Sequence, residues 1–120
     1  MKLSSRDKAA YQKIFELQCE ICKSLGHPIR LQIVDRLNKG EAAASDLIAV
    51  LDISKGSLSK HMSLLLNGGI VESRREGKRI FYRLTDPEIH KACAIMRSIL
   101  YRRLKQGGRL ALAIQSAKAQ

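Results

Sequence analysis

Acidic residues are scarce in this 120-residue chain: 11 Asp and Glu face 22 Lys and Arg, a formal charge of +11 at neutral pH. Long apolar runs are missing too. Nothing approaches the roughly 18 consecutive apolar residues of a membrane span. The opening Met1-Lys2-Leu3-Ser4-Ser5-Arg6 has no apolar stretch that would serve as a secretory signal. Three cysteines are an odd number and too few for a disulfide scaffold, so a reducing compartment should keep them as thiols. There are no internal repeats and no low-complexity segment. No Ser/His/Asp set, phosphate-cradling loop or carboxylate pair is present, which argues against an enzyme and an organic cofactor. What remains is one soluble, basic, cytoplasmic domain without membrane contact. Its 45% hydrophobic content is enough for a modest core.

The positive charge is not spread evenly. Residues 1–52 carry 8 basic and 7 acidic side chains, an ordinary balanced surface. Residues 53–85 carry Lys55, Lys60, Arg74, Arg75, Lys78, Arg79 and Arg83 against only Glu72 and Glu76. After Asp86 and Glu88 no acid occurs, while 7 basic residues follow. A basic surface attracts polyanions by releasing the counterions condensed on their phosphates. Its placement on secondary structure decides how much that means.

Ser4 or Ser5 caps a first helix reaching about Leu25, in which Ala10, Ile14, Leu17, Ile21 and Leu25 form one apolar stripe. Tyr11, Phe15, Cys19 and Cys22 form a second flank, so the apolar face is wider than one core contact needs. Gly26-His27-Pro28 breaks this helix, and a second runs from Pro28 with Ile29, Ile33, Val34 and Leu37 inward and Gly40 ending it. A short third helix holds Leu47, Ile48 and Leu51, with Ser45 as its cap. Leu51-Asp52-Ile53-Ser54 makes a tight turn into a fourth helix, capped by Ser54, that carries Leu58, Met62, Leu65 and Leu66 and stops at Gly68-Gly69. Two strands follow, Ile70 to Arg75 and Arg79 to Leu84, around a Glu76-Gly77-Lys78 tip. Asp86 and Pro87 open a long last helix containing Ile89, Cys93, Met96, Ile99, Leu100 and Leu104. Gly107-Gly108 closes it, leaving residues 109–120 as a weakly ordered helix or tail.

This order, α-α-α-α-β-β-α, is that of a mainly α winged helix-turn-helix domain with a small β-hairpin wing. The fourth helix is the one expected in a DNA major groove, exposing Lys55, Ser57, Ser59 and Lys60 opposite Leu58 and Met62. Lys donates to guanine edges, Ser pairs with several edges, and both also contact phosphate. Arg74, Arg75, Lys78 and Arg79 around Gly77 would lie over the adjacent minor groove or backbone. The bland alternative is a solvated basic hairpin, but the excess charge falls on recognition helix and wing together. His61 belongs to the same helix, yet lies nearer the apolar side and is expected to support it rather than read bases.

Leu25-Gly26-His27-Pro28-Ile29-Arg30-Leu31 through Leu37, Ser54-Lys55-Gly56-Ser57-Leu58-Ser59-Lys60-His61-Met62, and Arg74-Arg75-Glu76-Gly77-Lys78-Arg79-Ile80-Phe81-Tyr82-Arg83-Leu84 together resemble the ArsR/SmtB family of bacterial transcriptional repressors. The first resembles the family's Leu-Gly-His-Pro entry, the second its recognition helix and the third its wing. The likeness covers about residues 10–105 without a gap. It implies a homodimer pairing through the first and last helices, binding to an inverted-repeat operator in double-stranded DNA, and release when an inducer binds. It makes residues 1–108 a DNA-binding and dimerisation domain. Lys55 stands where the family often has Gln, so the operator sequence is expected to differ.

The resemblance also locates where such proteins hold metals. The arsenic-sensing branch carries two thiols within Glu-Leu-Cys-Val-Cys-Asp-Leu on the third helix. Here the stretch Glu41-Ala42-Ala43-Ala44-Ser45-Asp46-Leu47 puts Ala43 and Ser45 at those positions. The zinc-sensing branch places an Asp-x-His, then a His and a Glu, along the last helix. Here Asp86-Pro87-Glu88 is followed by Ile99 and Arg102, and His90 alone does not replace the set. There remain Cys19 and Cys22, three apart on one helix face, and Cys93 on the last helix, of the same or the partner chain. Three soft sulfurs without His or carboxylate favour a thiophilic ion, with As(III) or Sb(III) the best fit as inducer. The rival chemistry is a thiol-redox or persulfide sensor, aided by Lys23 and Arg97 lowering a thiol pKa. Buried apolar cysteines are the plain alternative, and a sequence-nonspecific basic nucleic-acid-binding protein is the alternative of another class. A thioredoxin-like role is disfavoured because Cys19-Glu20-Ile21-Cys22 lies well inside a helix and outside any βαβ unit.

Overall fold

The computed structural model describes residues 2–118, and the chain falls into two compact units, Met1–Pro87 and Glu88–Gln120. In the first unit, Ser4 starts helix α1 (Ser5–Leu25): its Oγ accepts from Asp7 N at 3.1 Å, and its hydroxyl donates to Asp7 Oδ2 at 2.7 Å. Asp7 in the first turn and Lys23 in the last complement the helix dipole. No residue of α1 is buried. Gly26 ends it, and His27 caps α2 (Pro28–Leu37) through its ring, Nδ1 accepting from Ile29 N at 3.0 Å. Pro28 sits in the first turn, where its missing N–H costs nothing. Helix α2 stops at Leu37, a turn before the expected Gly40, which with φ at 126° bends the chain onward.

Nothing in the alternation pattern marks the next element, the two-residue strand β1 (Ala42–Ala43). It fixes where α3 (Ala44–Leu51) begins. Ala43 is held extended and takes the cap position without a side-chain bond, so Ser45 lies inside the helix and is not its cap. Asp52 closes α3 in the left-handed region at φ 52°, a conformation that short polar side chains tolerate. Ser54 then opens α4 (Lys55–Asn67), its Oγ accepting from Ser57 N at 3.0 Å. Helices α3 and α4 are the expected helix-turn-helix.

Strands β2 (Val71–Glu76) and β3 (Arg79–Leu84) pair antiparallel from Val71 opposite Leu84 to Glu76 opposite Arg79. Glu76 therefore belongs to the ladder and Ile70 does not. The tip is Gly77-Lys78, with Gly77 at φ 61°. Thr85 ties the hairpin base, its Oγ1 donating to Gly69 O at 2.7 Å and its N to Ile70 O at 3.0 Å. The sheet order is β1-β3-β2, with Ala42 opposite Tyr82 and Ala43 opposite Phe81. Ile33, Val34 and Leu37 of α2, Leu47 of α3, Leu58, Met62 and Leu65 of α4, and Ile70, Val71 and Tyr82 build one core beneath the helix-turn-helix and wing.

The second unit holds α5 (Glu88–Lys105) and α6 (Arg109–Lys118). Glu88 pairs with Lys91 at 2.8 Å in the first turn of α5, and Arg102, Arg103 and Lys105 fill its last. Gly107 and Gly108, both at positive φ, separate the two helices. The stretch read from sequence as a weakly ordered helix or tail is thus helical over Arg109–Lys118. Among the described residues no helix is long and apolar enough to cross a membrane.

Candidate nucleic-acid interface

Helix α4 is amphipathic for a local reason. The Ser54 cap sets its phase, Leu58, Met62 and Leu65 turn inward, and Lys55, Ser59 and Lys60 turn outward. Ser57 is half-buried, and its backbone N–H is spent on the Ser54 cap. Lys55 and Ser59 of α4 meet Lys78 and Arg79 of the wing around a groove of about 390 Å³. Leu58, Ile80 and Tyr82 floor it, and Ser45 of α3 lines it as well. Recognition-helix and wing residues that lie two dozen positions apart in sequence are therefore on one surface. Ser45, expected only as a cap, is an additional polar group there.

The wing cations differ in what they are bound to. Arg75 and Lys78 are exposed and have no ion-pair partner among the described residues. Arg79 is exposed with its guanidinium 5.0 Å from the Phe81 ring centre. Arg74 is engaged on three sides. Its Nε reaches Glu41 Oε1 and Oε2 at 3.0 and 2.9 Å, its Nη2 reaches Oε1 at 2.6 Å, and its Nη1 reaches Glu76 Oε2 at 2.8 Å. The guanidinium also lies 4.4 Å from the Phe81 ring centre. Hydrogen bonding to Arg74 pulls the Glu41 carboxyl below its ordinary range, and Glu41 and Glu76 in turn raise the Arg74 guanidinium. Arg83 is likewise paired with Glu72. Arg74, expected from sequence among the DNA-contacting cations, also bridges β2 to the residue preceding β1. No local signal marks Glu41 for this role, because its partner is 33 residues away.

His61 turns inward, at 9% exposure. Its Nδ1 accepts from Arg30 Nη1 at 3.2 Å, which leaves the ring proton on Nε2. Its ring stands 4.3 Å, centre to centre, from that of His27. Burial first, then His27, Arg30 and Lys60, hold its pKa below the ordinary imidazole value. His61 thus joins α4 to α2 and does not reach the surface that Lys55 and Ser59 share.

Cys19 and Cys22 are exposed thiols on α1, and Cys93 is half-buried on α5. Among the described residues no group of three or more His, Cys, Asp or Glu side chains stands together as a metal site. Ala43 and Ser45 occupy β1 and the start of α3, so no thiol lies there.

A family model described as a helix-turn-helix domain matches residues 25–74. The biofilm growth-associated repressor of Agrobacterium fabrum is 44% identical over 66 residues, 55% of this chain and 56% of that protein, so the chain spans little more than half of the curated relative it matches. The crystal structure of the transcriptional repressor BigR from Xylella fastidiosa is similar at 33% identity and a TM-score of 0.68, over 77% of this chain and 94% of that one. A homodimeric winged helix-turn-helix DNA-binding domain from Mycobacterium bovis, a possible ArsR-family transcriptional regulator, superposes with a TM-score of 0.72 at 28% identity, over 91% and 98% of the two chains.

Proposed function

Because the chain belongs to the ArsR/SmtB family of winged helix-turn-helix transcriptional regulators, we propose that it is a homodimeric repressor of an inverted-repeat operator, released by a thiol-reactive inducer. The observation that carries the DNA-binding reading is the shared groove, where Lys55 and Ser59 of α4 stand beside Lys78 and Arg79 of the wing. Arg74 and Arg83 are paired with Glu41, Glu76 and Glu72, and the cations without an acidic partner among the described residues of helix and wing are Lys55, Lys60, Arg75, Lys78 and Arg79. Ser57 and Ser59 are the short donors for base edges. Dimerisation through α1 and α5 covers apolar side chains such as Ile14, at 59% exposure, and Met96, at 68%. A two-fold pair of α4 helices then reads two half-sites.

For the inducer, As(III) bound by Cys19, Cys22 and Cys93 is the leading reading, resting on the preference of a thiophilic ion for three sulfurs. One observation favours a second reading, dithiol sensing of oxidative or sulfide-derived species: Cys19 and Cys22 are exposed neighbours on one helix. An operator-release assay with arsenite, Zn(II), peroxide and polysulfide, repeated with Cys19→Ser, Cys22→Ser and Cys93→Ser, separates the two. Release by arsenite that needs all three thiols supports the first. Release by peroxide or polysulfide that survives Cys93→Ser supports the second. Arsenite release from the triple variant overturns the three-thiol site, and equal affinity for unrelated duplexes at fixed salt overturns the repressor reading.

A further inference from the structure

The corner between α1 and α2, beginning in the last turn of α1 just after Cys22, is seated on the recognition helix at two places. At the first, Ser24 meets Gly68, the residue that caps α4. A Cβ at Gly68 would lie 2.3 Å from Ser24 Oγ and 2.7 Å from Ser24 Cβ. Gly68 has φ −79° and ψ −2°, a conformation open to any residue. Its lack of a side chain is therefore demanded by the approach of α1 and not by the backbone. Ser24 has little room to retreat, since its hydroxyl donates to Glu20 O at 3.0 Å and its Cβ is fixed to the helix. At the second place, His27, two residues past the end of α1, lies tilted against His61 in the middle of α4, and Arg30 of α2 donates to Nδ1 of that ring. One corner of the chain thus touches α4 at its end and at its midpoint, in addition to the packing of Leu58, Met62 and Leu65 that seats the helix on the core.

We propose that this corner, Ser24 on Gly68 together with His27 on His61, is the linkage through which α1 positions α4 for operator binding. A change at Cys19 or Cys22 that moves the end of α1 is then passed to the recognition helix inside one chain, without any change at the DNA surface. This rests on the repressor reading and deepens it by naming the positioning residues. A coupling of this kind needs two arrangements of one physical element that both sites bias. The element is the α1–α2 corner, and the close contact at Gly68 makes it testable by adding a single methyl group.

In the full chain, Gly68→Ala is expected to lower operator affinity about tenfold, within the usual range for coupled sites, with the far-ultraviolet dichroism kept. Ser24→Gly in the same chain removes the clashing Cβ and should restore affinity to near the starting value. The imidazole NMR signals provide a readout without DNA, simplified because the chain has 3 His. Those of His27 and His61 should move in Gly68→Ala and return in the double variant. If Gly68→Ala does not fold, Ser24→Val presses the same contact from α1 with Gly68 intact, and the same loss is expected. Unchanged affinity in a folded Gly68→Ala protein overturns the linkage, as does failure of Ser24→Gly to restore it. If the unsubstituted protein binds no duplex, the repressor reading fails instead, so the two failures are distinct.

Discussion

A cation on a DNA-binding wing has two uses, contacting phosphate or holding the wing in shape, and the partners of Arg74 lead us to expect the second. It spans from β2 across Phe81 of β3 to Glu41, beside the two-residue strand β1. If it served as a phosphate contact, reversing its charge would cost affinity whatever happened at Glu41. As a brace, Arg74→Glu should weaken binding while Arg74→Glu combined with Glu41→Arg recovers most of the loss, measured by fluorescence anisotropy at fixed salt. Lys78→Ala should behave otherwise, lowering the slope of log affinity against log salt by about one per phosphate contact removed. The sequence marks the basic character of both side chains equally. It does not mark which is consumed internally, because that depends on an acid brought from 33 residues away by the sheet.

At the scale of elements, the four helices of the first unit and the hairpin were legible because each carries its own local signal. Ser4 and Ser54 cap, Pro28 sits in a first turn, Gly77 turns the hairpin, and apolar residues recur with the helical period. Strand β1 was not, since two alanines have neither alternation nor β-branching and are extended only because Phe81 and Tyr82 pair with them. The joint between α2 and α4 was only half legible: His61 reads as an inward residue, but its partners His27 and Arg30 come from the tertiary fold. That joint makes helix packing sensitive to acid. The His61 pKa is depressed in the folded chain, mainly by burial, whereas an unfolded imidazole titrates near 6.5. Above about 6.5 both states are neutral and the stabilisation is fully present. As pH falls below that, the unfolded chain binds the proton first, and stability is lost until the folded pKa is passed. Thermal melts followed by circular dichroism should show Tm falling between pH 7 and pH 5, with a flatter dependence in His61→Gln. An equal slope in that variant would place the acid sensitivity elsewhere.

At the scale of the whole molecule, α1 carries no buried residue over 21 positions, yet presents Tyr11, Ile14, Phe15, Leu17 and Ile21. Tyr11 and Phe15 already stack edge to face, 4.8 Å apart. A face this apolar, read from the sequence as wider than one core contact needs, is what a second copy would cover. Ile14→Glu is accordingly expected to shift sedimentation from dimer to monomer and to lower operator affinity at least about tenfold, leaving Tm of the monomeric core little changed because Ile14 is not part of that core. A variant that stays dimeric in the ultracentrifuge would move the two-fold axis off this helix.

The scarcity of acid gives that assembly an unusual response to its solvent. Each partner brings a charge of +11, and no acid follows Glu88 of α5 to offset it. Added salt then acts in two directions. It shields like charge between the two copies, within a Debye length of about 8 Å at physiological ionic strength, and so favours the pair. It also weakens the pull of phosphate on each copy. On DNA the second effect leads, because each phosphate contact releases condensed counterions and the duplex itself offsets the charge of both copies. Operator occupancy should fall steadily as ionic strength increases, while self-association measured without DNA should strengthen over the same range.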